Sequence, residues 1–581
     1  MRKLARFALA ALFVTSSSTI AHAAITGTII DMDGKPVAGA TIRAFAPESS
    51  AALRARLVAG KADRDPGATA KSSDSGTFSI DLKSSPAVDL EIEAPDHPRT
   101  TIATVDGDDI GVIQLAAPPV AKIRVTSGGK PVANAIVLSG SEVRKTDDAG
   151  ETPVFGIGSV YVVHPDFAPG SRRDMNGAIS SLHEIKLSRG VSVRGRVVNG
   201  AGPVPHAIVS VNGWPLAESA DDGTFVVAHA PDGWQLLTAA RGNEIGAATR
   251  PAKTGAVEIR LAKGETFTGT VRDSVTGAAV AGARMSLNEG ADSLPATAVS
   301  DAKGRFTFGP LLSRTYQIEG MHPSYGIASA AVLVPHVTTR AFAALPVAHA
   351  RGRVVDEEKK PVAGAIVTSP VTTGPRRPST LTNAAGEFAI RVVTSATPFA
   401  LPIYASKRGY AGGMLEARKW QPGETRNDIV ITLVRGFAIA VRVRDRQHQP
   451  VEHAYVNLTR TGDGAQQGFF APAACDDPTR QDCRRTSADG SVVFRTSEGP
   501  HSVFVTGDEV APKRVPSVTL TARSEPLVVE VDRGVTISGR VVHADGTPVA
   551  GAIVELPRSP IAPRNATADS DGAFTLVGIA A

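Results

Sequence analysis

Two cysteines in 581 residues, three tryptophans and an aromatic content of 5% are what this chain has least of. Two cysteines cannot build the dense disulfide framework that replaces a core in very small secreted domains. With no histidine nearby they complete no zinc shell either. After the first two dozen residues no apolar run is long enough to cross a bilayer as a helix. Charge of one sign is also scarce. The formal net charge is +5, and Arg2, Lys3 and Arg6 supply three of those positives in an opening segment without acids, so the remainder sits near +2. That balance, with no basic stripe interleaved with aromatics, excludes nucleic acid as an expected partner. Enzyme signatures are missing too: there is no GxSxG, HExxH, Walker loop or GxGxxG.

What the chain has in abundance is glycine (56), proline (40) and repetition. The nonapeptide GKPVAGATI at 34–42 returns as GKPVANAIV at 129–137, GPVPHAIV at 202–209, GAAVAGARM at 277–285, KKPVAGAIV at 359–367, HQPVEHAYV at 448–456 and GTPVAGAIV at 546–554. Anchored on Pro36, Pro131, Pro203, Ala279, Pro361, Pro450 and Pro548, the spacing runs from 72 to 98 residues. That is too long for a solenoid unit and suits one small domain per copy.

Each copy has one anatomy. An alternating stretch comes first, as in FAIAVRVRD at 437–445, whose period of two predicts a half-buried strand. A turn rich in Asp, Gly and Pro follows, then a second alternating stretch such as AIVSV. The proline lacks an N–H and belongs where no ladder bond is needed. Its Gly-Ala neighbours read as small residues where the chain crosses between sheets. Later comes an Asp or Asn shortly before Gly and often Phe: SDSGTF at 73–78, DDGTF at 221–225, DAKGRF at 301–306, NAAGEF at 383–388 and DSDGAF at 569–574. These predict hairpins that drop a Phe into the core. Closing strands such as VIQL, EIRL and LVVEV complete an antiparallel β-sandwich.

This pattern closely resembles the carboxypeptidase regulatory-like domain, a transthyretin-like Greek-key sandwich, and is similar to carbohydrate-binding-like sandwich folds. Copies beginning at Ile25, Ser192, Thr266, Ala350 and Ile537 match well. Those near Lys122 and Phe437 lack the Gly of the first strand and the Phe of the hairpin. The resemblance implies an all-β fold, a tandem array of about seven Greek-key sandwiches with the last apparently incomplete. The divisions read as a signal peptide at 1–23 and copies at 24–118, 119–189, 190–263, 264–347, 348–435, 436–533 and 534–581. The signal peptide rests on the basic start, the apolar run FALAALFV and Ala21-His-Ala23, and implies a periplasmic or extracellular protein. An insertion at 47–67 in the first copy, rich in Ala, Leu and Arg, predicts a short helix on a surface excursion. Four-residue joins (LSRG, LAKG, LVRG, VDRG) predict an extended, stiff rod.

Candidate sites are few. Cys475 and Cys483 read as a disulfide across a turn-rich loop. Ser127-Gly-Gly-Lys130 and Lys253-Thr-Gly255 spell two fragments of penicillin-interacting enzymes, but they fall in different copies and the serine lies in a strand and turn, so coincidence accounts for them. His97, His164 and His322 each neighbour a proline in a late loop, where a ring capping backbone groups is the plain reading beside that of a ligand. The acidic turns DMDG at 31–34 and DSDG at 569–572 offer too few oxygens for calcium. No metal or other cofactor is expected. Sugars stack on exposed aromatic rings, so Trp214, Trp234, Tyr404, Tyr410 and Trp420 are the candidate ligand-binding positions, with Phe469 and Phe470 beside the cysteine loop. Core burial is the alternative for each. The resemblance therefore implies an exported, non-enzymatic binding or spacer protein with carbohydrate or cell-envelope glycan as ligand. Two alternatives stand beside it: an accessory region positioning a catalytic domain such as a peptidase beyond the C-terminus, and a structural or adhesion stalk with protein partners. No membrane span is expected.

Overall fold

The structure, a computed structural model, describes residues 24–580 apart from short stretches, the longest being 174–181, 289–295, 370–377, 462–481 and 557–564. The segment read as a signal peptide lies outside the described residues. Alternation decides the elements: in the strand Phe437–Asp445, Ile439, Val441 and Val443 are buried and Arg442 is exposed.

The first copy shows the plan. Strand Ile25–Ile30 lies between an antiparallel neighbour, Thr77–Ile80, and a parallel one, Asp109–Gln114. The second sheet runs Ala68–Lys71, Thr41–Phe45, Ala87–Glu93, Thr100–Val105, antiparallel throughout. Ile25, Ile29, Phe78 and Ile113 of one sheet share a core with Ile42, Leu90, Ile92 and Ile102 of the other. The result is a two-layer sandwich. Copies two to six repeat the parallel pairing of first and closing strands. The expectation of a wholly antiparallel sandwich is corrected on this point. The closing strand returns from the opposite sheet by a crossover, so it meets the first strand running the same way. In the fourth copy the two layers join into one seven-stranded sheet through the pairing of Tyr325–Leu333 with Thr339–Pro346.

The repeated nonapeptide now has a physical account. Pro36 faces Ile30 across an isolated bridge, and the flanking bonds, Asp31 N–H to Lys35 O and Val37 N–H to Ile29 O, ask nothing of its missing N–H. The glycine of Gly-Ala stands at a left-handed position, which glycine adopts without strain. Gly39, Gly282 and Gly364 have φ of +70°, +77° and +64°, and Asn134, His206 and His453 hold the same left-handed conformation in copies two, three and six.

In the seventh copy, among the described residues, strand Val535–Arg540 pairs with Ala573–Ile579, and Ile553–Glu555 with Asn565–Thr567. Ile537, at the place held by Ile25 in the first copy, is 41% exposed where Ile25 is 0%.

Two expectations about arrangement are corrected. The insertion does form a helix, Ser50–Val58, capped where the Ser49 side chain accepts from Ala52 N–H. It is not a free excursion, because Leu57 is buried with Ile136, Leu138 and Val163 of the second copy and Trp214 of the third. Nor is the array a rod. The first copy also meets the fourth, where Arg284 pairs with Asp89 at 2.7 Å. It meets the fifth where Ile30 and Val112 pack with Ile366 and Arg391 pairs with Asp108 at 2.7 Å. Short joins limit slack between neighbours but do not fix the turn angle, and outward-facing apolar residues such as Ile30 and Ile366 favour folding back.

Candidate functional site

The aromatic positions come apart when placed in the fold. Trp214 opens the strand Trp214–Glu218 and is 6% exposed. Its ring sits 5.1 Å from Tyr161 of the second copy, tilted by 51°, and shares a cluster with Leu53 and Leu57 of the insertion helix. Trp420 is 2% exposed in the core of the fifth copy, with the Arg426 guanidinium 4.6 Å from its ring. Tyr410 is half-buried against the same core. Tyr404, 41% exposed, faces solvent from the strand Ala400–Ser406. Trp234, Phe469 and Phe470 lie outside the described residues. The described candidates thus do not converge: Trp214 is spent on an inter-copy contact, Trp420 on a core, and Tyr404 is the most exposed of them.

Cys483, at the start of strand Cys483–Arg485, is 2% exposed and disulfide-bonded. The chain's other cysteine, Cys475, lies outside the described residues. Ser127 pairs with Lys130 across a tight hairpin, far from the helical geometry a serine–lysine catalytic pair needs. Of the other fragment, Lys253 and Thr254 lie outside the described residues, as do residues 32–33 and 569–571 of the acidic turns. Among the described residues no group of three or more His, Cys, Asp or Glu is placed to hold a metal.

Two of the three loop histidines share one role. His164 Nδ1 accepts from Asp166 N–H at 3.1 Å, and His322 Nδ1 from Ser324 N–H at 3.0 Å. The rings also bond the backbone at Ala133 and Ala281, equivalent places in the nonapeptide. Each imidazole ties a late hairpin to the first turn. Burial holds both below the ordinary histidine range, His322 at about 4, against the opposing pull of those backbone bonds.

A polar constellation lies where copies one, four and five meet. Asp108 accepts from Thr104 Oγ1 at 2.7 Å and pairs with Arg391, which also donates to Asp109 O at 2.9 Å. Ser379 Oγ of copy five donates to Val112 O at 2.9 Å. Asp89 takes Arg284 at 2.7 Å and Arg64 at 3.5 Å. These groups satisfy each other across the seam. The arrangement ties copies one, four and five to each other.

One family of residues escaped sequence reasoning. Just before each hairpin stands a hydroxyl: Ser72, Thr146, Ser219, Ser300, Thr382 and Thr486. Each accepts from the N–H of the nonapeptide alanine and donates to the carbonyl of its valine. In the fourth copy these bonds are 2.9 Å from Ala283 N and 2.7 Å to Val280 O. The other five copies repeat it. The seventh has Ala568. The signal was visible as a Ser or Thr four residues before the hairpin glycine.

Residues 266–345 match the family model of the carboxypeptidase regulatory-like domain. No curated protein matches the chain. Among solved structures, the minor pilin GBS52 of Streptococcus agalactiae is 12% identical, covering 29% of this chain and 95% of its own at a TM-score of 0.21. The major pilin subunit BcpA of Bacillus cereus is 12% identical, covering 46% of this chain and 99% of its own at 0.15. The Bacillus anthracis TIE protein is 10% identical, covering 64% and 70% at 0.14. That match falls on the fourth copy, with its glycine-bearing first strand, its Phe306 hairpin and its parallel closing strand.

Proposed function

We propose that this protein is an exported, non-enzymatic structural scaffold: an array of small sandwiches that sets the spacing and orientation of protein partners. Its carrying observation is the fate of Trp214. The ring best placed by sequence to stack on a sugar is 6% exposed and wedged between the insertion helix and Tyr161. Supporting it, Asp89 with Arg284 and Asp108 with Arg391 form close ion pairs between copies. Side chains of the kinds that bind ligands elsewhere are used here to hold copies together. Export rests on the opening segment 1–23.

The test is retention of the full chain on peptidoglycan and a panel of insoluble polysaccharides, beside Tyr404→Ala. The scaffold reading expects no retention on any glycan. Retention by the full chain that Tyr404→Ala abolishes would overturn it and restore carbohydrate as the ligand.

A further inference from the structure

We infer that the 47–67 insertion of the first copy, with the outward face of that copy's first sheet, is an intramolecular clasp. It holds copies one to five folded against each other, and its release opens the array into an extended string of intact sandwiches. The inference rests on the scaffold reading, to which it adds a change of length.

The insertion is built for contact in trans to its own sandwich. Leu57 is buried and Leu53 partly so, yet neither belongs to the core of the first copy. Their cluster is Ile136, Leu138 and Val163 of copy two with Trp214 of copy three. The N-terminal end of the helix reaches copy four: Thr297 N–H donates to Ser50 Oγ at 2.6 Å, and Thr297 Oγ1 to Glu48 O at 3.4 Å. The loop is preformed for this. Arg56 grips Glu48 through two bonds of 2.9 and 2.8 Å and donates to Ala62 O at 2.6 Å, closing the insertion on itself.

The second half of the clasp is the face of strands Ile25–Ile30 and Asp109–Gln114 that points away from their own core. Ile30 and Val112 pack there with Ile366, and Leu381 lies against them. The Asp108–Arg391 pair and the Ser379–Val112 bond border the same patch. Each patch is a few side chains, whereas each of the first six copies keeps its own core drawn from both sheets. Local opening free energy follows buried apolar contact, so the small patches release while the cores stay closed. The insertion carries none of the strands of copy one, so both sheets of that sandwich remain when it lifts, although Arg64 gives up its contacts with Asp89 and the Phe45 ring. The joins at 187–190 and 261–264, between copies two and three and between three and four, then act as hinges.

The test is small-angle scattering on the full chain and on Leu57→Asp/Ile366→Asp, which puts a charge in each patch and in no sandwich core. The wild type is expected folded back. The variant is expected to have a radius of gyration roughly twofold larger, the difference between a compact body and sandwiches laid end to end. Far-UV circular dichroism and amide-exchange protection of strand Glu265–Asp273 should be unchanged. A wild type already extended, or a folded variant with the wild-type radius, overturns the clasp. Should the double Asp variant lose its sandwiches, Ile366→Ala/Arg391→Ala is read by the same two criteria. Neither readout depends on glycan binding, so failure here and failure of the scaffold reading are separate results.

Discussion

The ring of Phe306 lies over Gly269, its partner across the first-strand hairpin pair, so closely that a Cβ at 269 would overlap ring atoms. The same relation holds for Gly27 with Phe78, where the added Cβ would stand 2.8 Å from Cε1, and for Gly195 with Phe225 and Gly539 with Phe574. The two copies that lack the glycine also lack the phenylalanine: Ile123 faces Thr152 in copy two, and Val441 faces Val492 in copy six. One site is filled either from the hairpin strand or from both strands. Gly269→Val is therefore expected to destabilise copy four by about 1–3 kcal/mol through overpacking. Phe306→Ala should cost about 3–5 kcal/mol through the cavity it leaves. In the double variant the two losses should be less than additive. Amide exchange in strand Arg305–Leu311 measures all three, and strict additivity would refute the shared site.

The Ser300 hydroxyl supplies two bonds to backbone groups that are otherwise buried without partners. Ser300→Ala should cost about 1–3 kcal/mol, the penalty for leaving such groups unmet. Ser300→Thr should be nearly neutral, because Thr146, Thr382 and Thr486 hold the same place in other copies. Urea unfolding of the full chain and both variants compares them.

His322 makes the fold acid-sensitive. Its ring protonates near 6.5 when unfolded and at about 4 when folded, because burial disfavours the charged form. Between those values the unfolded chain holds more protons. Stability is thus full above about pH 6.5, falls as pH drops, and levels off below about 4, by a total on the order of 3 kcal/mol. His164, His349 and His501 shift in the same direction, also through burial. Replacing His322 by Gln should flatten part of the decline in urea midpoint between pH 7 and pH 4. An unchanged slope would remove His322 from the account.

Reduction should loosen copy six selectively. Closing the nine-residue 475–483 loop contributes about 2–3 kcal/mol in the chain-entropy model. Mild reductant should speed amide exchange in strands Cys483–Arg485 and Tyr455–Arg460, which pair directly, and leave the first copy untouched. Equal exchange with and without reductant would contradict it.

The sequence by itself determined the sandwich, its repetition and its punctuation. Period-two alternation marks strands wherever one face is dry, and the proline and glycine of the nonapeptide are demanded by a local turn, so both are legible one copy at a time. The hydroxyl before each hairpin was legible in principle, since its partners lie within its own copy. The direction of the closing strand was not, because alternation is the same for parallel and antiparallel neighbours. The use of the aromatics was decided only in three dimensions. Trp214 in NGWPL reads as a turn residue free to meet a ligand. It is buried because a helix inserted more than 150 residues earlier is brought onto it by the packing of other copies. The same holds for Arg391 in its strand and Asp108 in the turn before the closing strand, which look like solvated charges and become partners across a seam. Contacts within a copy leave a periodic signature because the strand imposes one. Contacts between copies depend on how rigid bodies turn about short joins, and no local pattern in the chain encodes that angle.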